Sequence, residues 1–272
     1  MKPAAFDYLR AASRDEALAG LAEGGDDARI LAGGQSLMPM LNYRLVEPAL
    51  LIDISGLKAL SYIRAEGAMV EIGAATRQIE LERWPELSEK VPLLHAAIPF
   101  IGHYQTRSRG TVCGSLVHAD PSSELPLCLA TLGGEVVLRS TRGERTLAAE
   151  DFQIGMLSTA KRADELVCAA RYPVATPGTG YAFTEMAQRR GDFAIVAVAA
   201  AVSASSVRLG VGGIADRPTV REWGALDGGE IDDALNEFAW DLGGTDDQHA
   251  TARYRRELVR RLGRRVIEEA RP

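Results

Sequence analysis

Two glycine-centred stretches hold the residue types from which a phosphate site can be built. In the first, Ala28 to Leu41 (ARILAGGQSLMPML), the apolar pair Ile30-Leu31 precedes Gly33-Gly34, and an apolar helical run begins at Leu37. Glycine permits positive φ and close approach of backbone to a ligand. Gln35 and Ser36 add side-chain donors, and the free N–H groups of the helix start face the turn. The second stretch, RGTVCGSLVHADPSSELP from Arg109, repeats the plan: an apolar step, a glycine turn with small hydroxyl residues, and a helix start at Ser122 or Ser123. Two such loops can hold the two phosphates of a dinucleotide through backbone N–H groups, with no lysine required.

Other chemistries find little support. His118 and Asp120 form an HxD pair, but no third ligand accompanies them at suitable spacing, so no metal site is expected. His95, His103 and His249 are isolated and read as surface or hydrogen-bonded residues. No GxSxG, HExxH or GxxxxGK[ST] occurs, and GVGGIA at 210–215 is not the dinucleotide fingerprint. The cysteines, Cys113, Cys128 and Cys168, lie far apart without a CxxC pair. That argues against a disulfide framework and against an iron–sulfur or zinc site within the chain. Reduced thiols and a cytoplasmic location are expected. A net charge of −6 and a pI near 5.4 argue against nucleic acid as a main partner. The N-terminal residues lack the apolar core of a signal peptide. The most apolar window, 194–204, is shorter than the roughly 20 residues of a membrane span. It reads as a buried strand or helix.

The elements that must position the two loops follow an α+β order. A strand at 6–10 leads to a helix through about Ala22, with Ser13 and Glu16 as a capping box, and Gly24-Gly25-Asp26 breaks it before the strand ahead of Gly33. LLIDIS at 50–55 reads as a buried strand. Alternation in SYIRAEGAMVEIGA predicts a hairpin around Glu66-Gly67, and Thr76 is positioned to cap the helix RQIELER. A helix over Leu87 to Ile98, a polar link GHYQTRSRG, a helix near 123–132 and strands EVVLRS and ERTLA follow. The proline- and glycine-rich stretch 173–180 marks a boundary. Beyond it YAFTEMAQ, FAIVAVAAAVSA and SVRLGVGGIA read as strands or a strand–helix–strand set. The end is helical over 250–270, with Leu258, Leu262 and Val266 four apart and an arginine-rich face that reads as solvated or as a subunit contact.

AGGQSLMPM at 32–40 with LIDIS at 51–55, and TVCGSLVHADPSSELP at 111–126, strongly resemble the FAD-binding medium subunit of molybdenum hydroxylases, the group of carbon monoxide dehydrogenase and xanthine dehydrogenase. DFQIGMLSTAKRADELV, RRGDFAIVAVAA and DQHATARYRREL extend the resemblance over nearly the whole chain. It implies a two-lobed FAD-binding domain of the vanillyl-alcohol-oxidase-like type at 1–175, with lobes at about 1–57 and 58–175, and a smaller α+β C-terminal domain at 176–272. It implies electron transfer through FAD. [2Fe–2S] clusters on a small subunit would supply the electrons, a molybdopterin large subunit would oxidise the substrate, and an external acceptor would take them. The assembly implied is a dimer of heterotrimers. A stand-alone flavin oxidoreductase and a non-catalytic nucleotide-binding assembly protein stay open as alternatives.

Carried over position by position, Ala32, Gly33, Gly34, Gln35 and Ser36 match the family's first FAD loop, flanked by Leu31, Leu37 and Met38. Thr111, Gly114 and Ser115 match the second loop, with His118, Asp120 and Glu124 following where the family places polar flavin contacts. Ile101 and Val167 match contacts to the cofactor's rings. Phe193 matches a position where relatives place an aromatic ring near the isoalloxazine; its other reading is a plain core phenylalanine. Two departures stand out. Cys113 replaces a glycine of the second loop, where a side chain would crowd it, and Glu185 stands where several relatives have lysine. The resemblance implies no catalytic acid, base or nucleophile, because the flavin does the chemistry.

Overall fold

The computed structural model describes residues 2–272. Its first layer is a parallel sheet of β1 (Asp7–Arg10), β2 (Ala28–Leu31) and β3 (Leu50–Asp53), with β3 in the middle. Parallel neighbours need a crossover, and helix Arg14–Gly24 supplies the one from β1 to β2. The Ser13 hydroxyl accepts from Glu16 N–H at 3.1 Å and the Glu16 carboxylate accepts from Ala12 N–H at 2.6 Å, which fixes the helix start. Leu51 and Ile52 are buried between the layers, so the central strand reads as a continuous apolar run.

The second layer is an antiparallel sheet of β4 (Ile63–Glu66), β5 (Met69–Gly73), β6 (Glu135–Ser140), β7 (Gly143–Ala148) and β10 (Leu166–Pro173), in the order β4-β5-β10-β6-β7. A small pair, β8 (Gln153–Gly155) and β9 (Ser158–Thr159), lies between β7 and β10 in sequence. The β4-β5 hairpin turns at Gly67, whose φ of +60° suits glycine. Thr76 is not the cap of the helix that follows. Its Oγ1 accepts from Tyr62 N–H and donates to Tyr62 C=O, tying the loop to the sheet, and helix Gln78–Glu82 is capped at Arg77, whose N–H donates to Glu80. The single helix expected over 87–98 is two, Leu87–Lys90 and Pro92–Ala97, because Pro92 has no N–H to continue the first and opens the second. The polar link contains a short helix of its own, Tyr104–Arg107.

The third layer is an antiparallel meander of β11 (Thr179–Met186), β12 (Val196–Ser203), β13 (Ser206–Gly212) and β14 (Thr219–Gly224). The apolar window at 194–204 is its second strand. Ala197 and Ala199 face one core cluster and Val196, Val198 and Ala200 the other, so both faces are covered and alternation disappears from the sequence. One face packs on helix Glu124–Leu132 so closely that a Cβ on Gly210 would meet Thr131 Oγ1 at 2.0 Å. The other takes helix Ala252–Glu269, which buries Leu258, Val259, Val266 and Ile267. That helix is not a purely solvated arginine face. Arg255 is buried, donating to Ile195 and Gly213 C=O and pairing with Asp247. Strand β14 and helix Gly228–Asp241 complete the layer and were not expected from the sequence.

Candidate functional site

The two glycine loops meet. A Cβ on Gly33 would stand 2.3 Å from Arg109 C=O and 2.7 Å from Gly110 Cα, so the backbones touch where only glycine fits. Gly34 has φ +69° and is flanked by Leu31 and Met38, whose side-chain carbons lie 3.3 and 3.2 Å from where its Cβ would be. Helix Leu37–Asn42 starts immediately afterwards, with Met38 N–H donating to Gly34 C=O at 3.1 Å. The N–H groups of Gly33, Gly34, Gln35 and Ser36 have no hydrogen-bond partner among the described residues. The Gln35 side chain is turned back on the loop and donates to Gly33 C=O at 3.0 Å.

The second loop is pinned to the helix Gln78–Glu82 region. Gln78 N–H donates to Gly110 C=O at 2.8 Å and Val112 N–H to Thr76 C=O at 3.1 Å. Thr111 caps helix Val112–His118, its Oγ1 accepting from Gly114 N–H at 3.1 Å. A Cβ on Gly114 would lie 2.6 Å from Thr111 Oγ1 as that hydroxyl is placed in the cap. Cys113 does not crowd the loop. Its thiol turns into the core towards Ile72 C=O at 3.5 Å, and burial pushes its pKa upwards out of the reactive range. Gln78 went unnoticed in the sequence. Its Oε1 is buried without a partner and sits 3.1 Å from where a Gly110 side chain would begin. The glycine ahead of Thr111 was the available signal.

From this junction the chain continues to the other candidates. Arg107, bound to Glu82 through two hydrogen bonds of 2.8 and 3.2 Å, donates to Ile101 C=O at 3.0 Å and holds the 101–103 turn. Gly191 packs on that turn, where a Cβ would meet His103 Cε1 at 2.6 Å. The 189–192 segment is a turn closed by Asp192 N–H to Arg189 C=O. Immediately after it, Phe193 is 67% exposed, so the core reading of this phenylalanine is wrong. Ile101 is buried, and Val167 lies within β10 opposite Leu138, on the strand against which helix Val112–His118 packs. Ser115 begins the second turn of that helix and His118 ends it. Burial lowers the His118 pKa, with nearby Asp120 opposing. Asp120 accepts from Ser122 N–H at 2.8 Å and leads to Glu124, whose carboxyl burial pushes up to about 7. Glu185 of β11 is raised to about 8, by burial first and then by the Glu124 charge. No cluster of three or more potential metal ligands occurs among the described residues. Nor is any helix there long and apolar enough to cross a membrane.

Two abutting loops, the first with unpaired N–H groups and each opening a helix, on a parallel lobe and an antiparallel lobe backed by a third sheet, define a two-lobed dinucleotide-binding α+β protein. The unpaired N–H groups of Gly33 to Ser36, ahead of helix Leu37–Asn42, fit a pyrophosphate. The family model for the FAD binding domain in molybdopterin dehydrogenase matches residues 4–175, and that for the CO dehydrogenase flavoprotein C-terminal domain matches residues 181–270. Caffeine dehydrogenase subunit beta of Pseudomonas sp. (strain CBB1) is 42% identical over 210 residues, 77% of this chain and 71% of its own. The 6-hydroxypseudooxynicotine dehydrogenase complex subunit alpha of Paenarthrobacter nicotinovorans is 36% identical, covering 99% of this chain and 96% of its own. In the solved structure of reconstituted CO dehydrogenase from Oligotropha carboxidovorans, one chain superposes with a TM-score of 0.95 at 33% identity, covering 100% of this chain and 99% of that one. The chain belongs to the family of FAD-binding medium subunits of molybdenum hydroxylases. It is an oxidoreductase subunit carrying that family's FAD-binding domain.

Proposed function

We propose that this chain is the electron-transfer flavoprotein of a molybdenum hydroxylase, taking electrons from [2Fe–2S] clusters of a small subunit and passing them to an external acceptor. A molybdopterin large subunit oxidises the substrate, and the heterotrimer pairs into a dimer. Residues 1–175 form the FAD-binding domain and 176–272 the C-terminal domain. The observation that carries this reading is the junction of the two glycine loops at Gly33 and Gly110. FAD, when bound, supplies a carrier that exchanges electrons with both one- and two-electron partners.

The chain's own residues do the rest. The N–H groups of Gly33 to Ser36 bind the pyrophosphate and need no lysine, and the second loop abuts them at Arg109 and Gly110. Leu31, Ala32, Leu37 and Met38 wall the first loop, and Thr111, Gly114 and Ser115 shape the second. His118, Asp120, Glu124 and Glu185 form the polar side of the ring site, and Ile101, Val167 and Phe193 its apolar side. Support for the assembly comes from the relatives, which are named as subunits or medium chains of dehydrogenases. The test is the visible spectrum of the full chain, alone and co-expressed with its neighbouring gene products. A flavin spectrum at about one FAD per chain, gaining iron–sulfur absorbance in the complex, is expected. A colourless chain that stays colourless with added FAD overturns the reading.

A further inference from the structure

Between the parallel lobe and the antiparallel sheet lies a cavity of about 250 Å³ whose charged lining is four arginines, Arg14, Arg64, Arg139 and Arg171, and two glutamates, Glu71 and Glu144. Arg14 is the first residue of helix Arg14–Gly24, which packs against β6. Arg139 stands on β6 itself, and Arg64, Glu71 and Arg171 lie side by side across β4, β5 and β10. Side chains alternate along β5, so Val70 and Ile72 enter the main core while Glu71 faces the cavity. No residue of either glycine loop lines it.

Two of the arginines are committed. Arg64 and Arg171 each donate to Glu71 at 2.7 Å, and Arg64 also pairs with Glu66 at 3.0 Å. Tyr62 donates to the same Glu71 carboxylate at 2.8 Å, so three donors already occupy it. The other two arginines are not committed. Arg14 Nε lies 3.8 Å from Asp15 Oδ1 and Arg139 Nη1 lies 3.6 Å from Glu144 Oε2, both too long for hydrogen bonds. Arg14 Nε is covered and unpaired. The two side chains are 38% and 37% exposed, so their outer nitrogens are within reach of a ligand. Two like charges on one cavity wall repel, and an anion between them relieves the repulsion while supplying the missing acceptors.

The shape of the donors selects the anion. Guanidinium forks match the paired oxygens of a phosphate, which carries a charge of about −1.5 to −2 near neutrality, enough for both uncommitted arginines. We propose that this cavity binds a phosphate group, inorganic or borne by a small monoester, held between the Arg14 guanidinium of one lobe and the Arg139 guanidinium of the other. The bound anion ties the start of the crossover helix to the antiparallel sheet and so stabilises the two lobes against each other.

The experiment saturates the full-length chain with FAD, so that the glycine loops are occupied. It then titrates inorganic phosphate, or glycerol 3-phosphate, by calorimetry against chloride at equal ionic strength. Wild type binds at least one of the two in a one-site isotherm, the tighter ligand distinguishing the free ion from the ester, and its melting temperature rises with ligand concentration. Arg14→Met and Arg139→Met each weaken binding about 10–100-fold, as the loss of a charge-assisted pair requires. Arg139→Lys keeps the charge but not the fork and retains part of the affinity. Arg261→Met, outside the cavity, binds as wild type. In phosphate-free buffer neither methionine variant melts below wild type, because no hydrogen bond is lost and the repulsion is gone. No saturable binding beyond the chloride control overturns the inference, as do methionine variants that bind as wild type. Methionine variants that melt lower without phosphate show guanidiniums already partnered, and overturn it too. A chain that takes up no FAD overturns the flavin reading alone, since the arginine variants still separate this cavity from the glycine loops.

Discussion

Gly33 lies against the carbonyl of Arg109 so closely that a Cβ on the glycine would stand 2.3 Å from that oxygen. The two loops are thus one structure, although the sequence separates them by the whole of β3, the β4-β5 hairpin and five short α-helices. Gly33→Ala forces them apart. We expect FAD binding to be lost and stability to fall by about 1–3 kcal/mol, the usual result of inserting a methyl where backbone already fills the space. Gly229→Ala, where nothing lies within 4 Å, should leave both unchanged or slightly improve stability. Thermal melts and flavin content of the purified variants measure the two effects together.

Phe193 separates packing from cofactor contact. Its ring is 67% exposed, so Phe193→Ala should change stability by less than about 0.5 kcal/mol. A ring lying on the isoalloxazine contributes about 0.5–1.5 kcal/mol beyond its area, so FAD affinity should fall about 2–10-fold, with a shifted flavin absorbance band. Unchanged affinity and spectrum would remove Phe193 from the flavin site.

Arg255 shows what a buried arginine does outside any catalytic site. It donates to Ile195 C=O and Gly213 C=O, both at 2.6 Å, and to Asp247. The guanidinium therefore ties the strand after the 189–192 turn to the end of β13. Arg255→Met leaves two carbonyls without their donor, while Asp247, 44% exposed, keeps its bonds from His249 and Ala250 N–H, and the variant should cost about 1–3 kcal/mol in a denaturant titration. Arg261→Met, whose side chain is 77% exposed and paired only within its helix, should cost less than about 0.5 kcal/mol.

The glycine loops were legible because a backbone requirement leaves a mark on residue type: no other residue fits at Gly33, where the backbones of the two loops touch. The α+β order and the hairpin at Gly67 were legible for the same reason. Strand β14 was not, because it is an edge strand whose residues are all half-buried or exposed, so it shows no clean alternation. Helix Gly228–Asp241 opens on two glycines of poor helix propensity. The Asp227–Glu230 capping box and the apolar spacing of Ile231, Leu235, Phe238 and Ala239 are the signals that announce it. The electrostatic coupling of Glu124 to Glu185 and the direction of the Cys113 thiol come from tertiary packing. No local pattern in the sequence encodes either.

Glu71 is the acid-sensitive point of the antiparallel sheet. Burial alone raises its carboxyl, but hydrogen bonds from Arg171 (2.7 Å), Tyr62 (2.8 Å) and Arg64 (2.7 Å) outweigh burial and hold it below the ordinary glutamate value. A folded-state value below the unfolded one means that this stabilisation is fully present above the unfolded pKa, about 4.3. It is lost as pH falls further, through the folded value. Wild-type stability should therefore decline below about pH 4.3 partly through this residue. Glu71→Gln should cost about 1–3 kcal/mol at pH 7, since the amide keeps some of the hydrogen bonds but not the charge. It should also flatten the acid limb, so that the two proteins converge towards pH 3. Urea titrations of both proteins from pH 3 to 7 measure the difference, and parallel curves across that range would place the acid sensitivity on another carboxylate.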